Sequence, residues 1–130
     1  MKIFKNTSIS KNYKNSVIAI GNFDGIHAGH KKVLKAALKK AKRLKKKFGL
    51  ITFEPVPVMF FNKKITNHRL DTLPQKISNL KKEKLDFVII QKFNKKFSKL
   101  SYQNFIYNIL YKKIRCNYLY VSNNFKNKKS

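Results

Sequence analysis

Residues 21–30, which read GNFDGIHAGH, combine residue types that bind phosphate groups. This stretch holds three of the four glycines of the chain and two of its three histidines: Gly21, Gly25, Gly29, His27 and His30. Glycine lets the backbone approach an anion closely, and an imidazole N–H can donate a hydrogen bond to a phosphate oxygen. The stretch therefore predicts a site for a nucleotide phosphate.

The spacing of the two histidines supports this hypothesis. His27 and His30 are three residues apart, so a helix that begins near residues 26–28 would place both imidazoles on one face, with Gly29 between them. The glycine spacing matches neither the P-loop nor the dinucleotide-binding motif. In an alternative interpretation one histidine caps the helix and the other is solvated, but this alternative leaves the three glycines unexplained.

Apolar patterning predicts the elements that position this stretch. Four short apolar runs with β-branched residues predict strands, and three segments with apolar residues at helical spacing predict helices. The predicted strands are 16–23, 50–55, 86–93 and 117–123. The predicted helices are 29–49, 72–84 and 101–114. The first sixteen residues are predicted to form a short strand or a loop.

The same patterns predict helix ends and buried faces. Thr72 and Ser101 are predicted N-caps, and Gly49 is a predicted C-terminal cap of the first helix. The side chains expected to face the core are Val33, Leu34, Ala37, Leu38, Ala41 and Leu44 in the first helix, Leu73, Ile77 and Leu80 in the second, and Phe105, Ile106, Ile109 and Leu110 in the third.

The alternation of strands and helices predicts the fold class. It indicates one α/β domain over residues 1–130, a Rossmann-like parallel sheet with helices on both faces. Ligands of such sheets bind at the carboxyl ends of the strands. Residues 21–30 connect the end of the first long strand to the first helix, and the helix dipole directs its positive end to the same place.

Composition limits the other function classes. The chain carries 31 Lys and Arg against 5 Asp and Glu, a formal charge of +26, but the lysines are spread along its whole length. We interpret this charge as compositional bias, so that nucleic acid binds only as a non-specific polyanion. No run suggests a membrane span or a secretory signal. A single cysteine allows no internal disulfide, so a reducing cytoplasm is the default expectation. The single Cys116 is expected to be a small buried hydrophobic residue, and no metal-ligand spacing is present.

Several segments together resemble one family. HAGH at residues 27–30 looks like the H-x-G-H motif of the nucleotidyltransferases, and the whole of residues 21–30 is similar to the signature of the bacterial FAD synthetase domain. TFEPVPVMFF at 52–61 resembles the second motif of that domain, with Val56 in place of a histidine. HRLDTLPQK at 68–76 and the segment 85–106 are similar to the segments that follow.

This resemblance implies adenylyl transfer from ATP to FMN, which gives FAD and pyrophosphate, with Mg²⁺ on the ATP phosphates. It implies that His27 and His30 stabilise the transition state. The ATP-binding residues by resemblance are Gly21, Asn22, Phe23, Asp24, Gly25, His27, Gly29 and His30. The flavin-binding residues by resemblance are Phe53, Glu54, Pro55, Pro57, Asn124 and Phe125. An alternative for the second motif is a strand end that simply turns at Pro55.

The sequence departs from the family after the last predicted strand. Residues 121–130 read VSNNFKNKKS, in which Ser122 stands where the family has glycine. A later I-S-S-T-x-I-R segment and a riboflavin kinase domain are also expected in the family. We therefore expect a shortened domain, with room for a second polypeptide as partner. Two alternatives stay open: an inactive remnant that binds nucleotides or polyanions, and a nucleotidyltransferase with another phosphate acceptor.

Overall fold

A five-stranded sheet forms the centre of the structure, a computed structural model described over residues 1–23, 28–55 and 72–122, with the backbone alone at 28 and 29. The strands are β1 (Lys2–Phe4), β2 (Val17–Ile20), β3 (Phe48–Glu54), β4 (Phe87–Lys92) and β5 (Tyr118–Val121). Their order in the sheet is β1-β4-β3-β2-β5, and every pair is parallel. All carboxyl ends therefore lie at one edge of the sheet.

Helices connect these strands. They are α1 (Ala28–Leu44), α2 (Leu73–Leu80), α3 (Lys95–Ser98) and α4 (Tyr102–Asn104), which continues directly into a π-helix (Phe105–Lys113). Short 3-10 turns lie at Lys11–Tyr13 and Lys81–Glu83. The two predicted N-caps are confirmed, because the Thr72 hydroxyl accepts from the amide of Gln75 and the Ser101 hydroxyl accepts from the amide of Asn104.

Hydrophobic clusters cover both faces of the sheet. Leu34, Ala37 and Ala41 of α1 pack on one face together with Leu80 of α2. Phe105, Leu110 and Ile114 pack on the opposite face. Strands buried on both faces are typical of a parallel sheet with helices on each side, so the predicted α/β Rossmann-like class is confirmed.

The predicted end of the first helix is wrong. Lys45, at φ 57°, ends α1 in the left-handed region, and Gly49 lies inside β3 rather than at a helix cap. An added Cβ on Gly49 would lie 2.2 Å from the ring of Phe87, which is fully buried. Gly49 is glycine because the neighbouring strand places an aromatic ring against its backbone.

The predicted burial of Ile106 is also wrong, since 41% of this residue is exposed. The cause is the π-helix, whose hydrogen bonds join residues five apart and so change which side chains share a face. Phe105 and Leu110, five residues apart, are both buried. Ile109 is partly buried against the same cluster.

The two outer strands of the sheet are β1 and β5, and the first of them was only one of two predicted possibilities. The three-residue β1 makes one edge through its pairing with β4, so the N-terminal segment does contain a short strand. At the other edge β5 pairs with β2, and Tyr118, Leu119 and Val121 are each more than a third exposed.

Within the described residues, no helix is both long enough and apolar enough to span a membrane.

Candidate nucleotide-binding site

Predicted site residues from two different strands meet at the carboxyl edge of the sheet. The chain leaves β2 at Gly21, and it leaves β3 at Glu54 and Pro55. The amide of Gly21 donates to the carbonyl of Ile51 over 3.2 Å, which keeps the two strand ends side by side. The amino end of α1 lies just after β2 in the chain, so the positive end of its helix dipole faces the same edge.

Gly21 is in close contact with the end of β5. An added Cβ at this position would lie 2.6 Å from the Cβ of Ser122 and 3.1 Å from the ring of Phe23. A side chain here would displace either the strand end or the aromatic ring. Packing at the point where the chain leaves the sheet therefore requires glycine at position 21, a different reason from the close approach to an anion that the sequence suggested.

Phe23 and His30 form the buried base of the site. Phe23 has a φ of 50° and is fully buried, an unusual backbone conformation for a bulky residue. Its ring lies 5.2 Å from the ring of His30, which is 3% exposed. Strained residues cluster at functional sites, and a hydrogen bond from an imidazole is stronger in a buried environment. His30 is therefore not the solvated histidine of the alternative interpretation, and His27 lies outside the described residues.

A hydrogen bond joins the predicted ATP-binding stretch to the second motif. The hydroxyl of Thr52 in β3 donates to the carbonyl of Asn22 over 2.7 Å. Within the described part of the chain, the side-chain oxygen Oδ1 of Asn22 is buried and has no hydrogen-bond partner. A buried acceptor without a partner is uncommon and suits a position that a ligand completes.

Lys76 also lies at this edge, and its burial was not predicted from the sequence. It lies in α2, is fully buried, and its ammonium is 3.9 Å from the carboxylate of Glu54. The spacing could have indicated this burial, because Lys76 lies three residues after Leu73 and four before the buried Leu80, on the apolar face of α2. A lysine on an apolar helical stripe indicates a paired charge.

The structure places some predicted site residues and not others. The predicted residues after β2, Gly21, Asn22, Phe23 and His30, and those at the end of β3, Phe53, Glu54 and Pro55, share the carboxyl edge, where Thr52 contacts Asn22. Phe23 packs on the α1 face of the sheet, whereas Phe53 packs in the cluster on the opposite face. Gly29 lies in the first turn of α1. The remaining predicted residues, Asp24, Gly25, His27, Pro57, Asn124 and Phe125, lie outside the described residues. Their roles stay predictions.

Cys116 does not belong to this site. It lies just before β5, at the amino ends of the strands and so on the far side of the sheet from the carboxyl edge. Its thiol donates to the carbonyl of Tyr118 over 3.2 Å. Burial raises the pKa of Cys116 from its ordinary 9.0 to about 11, and a backbone hydrogen bond from Ile18 opposes this in part. The thiol is protonated at neutral pH, so Cys116 is a poor nucleophile. The residue is half-buried rather than fully buried as the sequence predicted.

The fold matches a known structure. A crystal structure of a macrolide-efflux protein from Streptococcus pneumoniae aligns with a TM-score of 0.75 and 22% sequence identity. The alignment covers 92% of this chain and 40% of that chain. At this identity the likeness shows a shared fold and nothing about activity.

Sequence comparison identifies the family. The family model for FAD synthetase matches residues 9–130, and the chain therefore belongs to the FAD synthetase family. It is similar to the bifunctional riboflavin kinase/FMN adenylyltransferase of Buchnera aphidicola subsp. Schizaphis graminum, with 39% identity over 119 residues, 92% of this chain and 38% of that protein. The enzyme of the same name from Escherichia coli K12 is 33% identical over 110 residues, 85% of this chain and 35% of that protein. The chain thus spans about two fifths of the length of these relatives.

Proposed function

We propose that this chain binds ATP at the carboxyl edge of β2 and β3 and transfers its adenylyl group to FMN. The products are FAD and pyrophosphate. The observation that carries the proposal is the convergence of two predicted substrate-binding stretches, joined by the hydrogen bond from Thr52 to Asn22. Membership of the FAD synthetase family supports this choice of substrates.

On the ATP side, the chain offers hydrogen-bond donors to the phosphates. α1 has no acidic residue in its first turn, so nothing there neutralises the positive end of its dipole. His30 lies in this turn and supplies an imidazole N–H to a phosphate oxygen. Such donors stabilise charge that develops during phosphoryl transfer, and they need no reorganisation when they are already held in place. His27, Asp24 and Gly25 complete this side in the proposal.

On the flavin side, the end of β3 forms the wall. Phe53 is buried, whereas Glu54 and Pro55 are half-buried and therefore reach the surface of the site. In the proposed reaction a phosphate oxygen of FMN forms a bond to the α-phosphorus of ATP. The bond from that phosphorus to the β-phosphate bridging oxygen breaks, and pyrophosphate leaves. The protein contributes by placing two anions in line and by stabilising their charge.

Mg²⁺ is proposed to accompany the ATP. It prefers oxygen ligands, keeps several waters, and takes much of its coordination from substrate phosphates. The buried Oδ1 of Asn22, which has no hydrogen-bond partner among the described residues, fits such a partial protein contribution. When bound, the ion would neutralise part of the triphosphate charge. A cytoplasmic location, a second polypeptide as partner and purely non-specific nucleic-acid binding stay predictions.

The test is FAD synthesis by the purified chain. We expect FMN and Mg·ATP to give FAD, detected by chromatography, with one pyrophosphate for each FAD. ATP binding without consumption of FMN would favour another phosphate acceptor. ATP binding that disappears as salt is raised from low to physiological concentration, with no FAD formed, would favour a polyanion-binding remnant. Either result would contradict the proposal.

A further inference from the structure

Lys76 carries a buried charge that holds several groups at the carboxyl edge. The side chain is 0% exposed, and its ammonium donates to the hydroxyl of Thr52 over 3.2 Å and to the carbonyl of Phe53 over 3.3 Å. The carboxylate of Glu54 lies 3.9 Å away and is 22% exposed. A buried ammonium is costly unless hydrogen bonds and an opposite charge compensate it. Here one lysine engages three consecutive residues of one strand.

These contacts continue from the flavin side of the proposed site to the ATP side. The Thr52 hydroxyl accepts from Lys76 and donates to the carbonyl of Asn22. The chain of contacts therefore runs from α2 through the end of β3 to the stretch that follows β2. Glu54 is at one end of it and Asn22 is at the other.

We propose that Lys76 is a positioning residue for the adenylyl transfer. It fixes the backbone at Phe53 and directs the carboxylate of Glu54, so that the flavin-side wall has one orientation relative to the bound ATP. Lys76 is fully buried and acts through these groups rather than on a substrate. This inference rests on the proposed function.

A role in positioning is distinguishable from a role in stability. Removing one partner of a buried ion pair is destabilising because the other charge loses its compensation, and the 22% exposure of Glu54 lets water reduce this cost only in part. A shift of about 1 Å in a substrate-positioning group can cost on the order of a hundredfold in rate. Lys76→Met should therefore lower the melting temperature, and its activity is compared at a temperature at which a thermal melt shows the variant fully folded. Lys82→Met, at an exposed lysine just after α2, is the matched control.

The experiment compares FAD synthesis and substrate binding in Lys76→Met, Glu54→Gln and the double variant. We expect Lys76→Met to lower kcat by about tenfold to a hundredfold. It should also weaken FMN binding, followed by flavin fluorescence, while the Kd for Mg·ATP changes less than about threefold. Because the two residues act together, the double variant should lose no more kcat than the more damaging single variant.

Several results would overturn the inference. Lys76→Met could match Lys82→Met in kcat and FMN affinity, or the losses in the two single variants could multiply in the double variant. If Lys76→Met fails to fold, Glu54→Gln decides, since unchanged kcat and FMN binding there would remove the group that Lys76 directs. Absence of FAD with the unaltered chain would instead contradict the proposed function itself, and this inference would fall with it.

Discussion

Replacing His30 by leucine is expected to reduce FAD formation by about a hundredfold to a thousandfold, the usual cost of removing one preorganised donor to a developing negative charge. His30 is buried against the ring of Phe23, so leucine fills the space of the imidazole but donates no hydrogen bond. The melting temperature should therefore change little. The measurement is kcat for FAD formation beside a thermal melt of each variant.

Two further variants make the His30 test specific. His30→Gln keeps one N–H donor at nearly the same place and should retain more activity than His30→Leu. Lys31→Gln changes the next residue, which is exposed on α1, and should leave kcat unchanged. If His30→Leu folds normally and keeps the kcat of the unaltered chain, the assignment of His30 to the transition state is wrong.

Gly49→Ala is expected to cost more stability than a typical single substitution. Its Cβ would lie 2.2 to 2.5 Å from three atoms of the Phe87 ring. That ring is fully buried and packs edge-on against Phe4 at 6.1 Å and Tyr13 at 5.2 Å, so a shift of the ring disturbs these neighbours. Overpacking of a core costs about 1–3 kcal/mol and occasionally more, and here we expect the upper end. Urea unfolding followed by circular dichroism gives the free energy of unfolding.

The matched control for Gly49→Ala replaces Phe87, whose ring the added Cβ would meet, by a smaller residue. Phe87→Leu alone should destabilise the chain by leaving a cavity. In the Gly49→Ala background the same change should recover part of the lost stability, because the leucine relieves the clash. A Gly49→Ala chain within about 0.5 kcal/mol of the unaltered one would contradict the packing described for β3 and β4.

The sequence predicted those parts of the fold that depend on local chemistry. Thr72 and Ser101 were identifiable as caps because a side-chain oxygen satisfies amides only a few residues away. Leu34, Ala37 and Ala41 were identifiable as core residues of α1 because their spacing defines one helical face. Both signals are contained within a single turn or a single helix.

The errors come from interactions between elements that are distant in the sequence. Gly49 looked like a helix cap, but its role depends on the Phe87 ring of a neighbouring strand. Ile106 was expected inside because ordinary helical spacing was assumed, whereas the segment is a π-helix. β1 was not an error, since the sequence left a short strand or a loop open there, and its pairing with β4 decides for the strand. Only tertiary contacts fix these features.

In the candidate site, too, local features were predictable and contacts between distant segments were not. The glycine and histidine content of residues 21–30 indicated a phosphate site, and the parallel sheet places Gly21 and His30 at its carboxyl edge. The link from Lys76 through Thr52 to Asn22 could not be predicted, because it joins three segments that are 24 and 30 residues apart along the chain. The residues proposed to bind substrate were identifiable from the sequence, whereas the contacts that hold their strand ends together were not.

The central claim is that ATP binds at the carboxyl edge against the amino end of α1. The most direct test is a titration of the ¹⁵N-labelled chain with Mg·ATP at physiological salt, followed by amide chemical shifts. We expect the largest changes at residues 21–23, in the first turn of α1 and at Thr52, and we expect them to saturate together with one Kd. Changes spread over the exposed lysines in the second half of α1, with none at residues 21–23, would contradict the account.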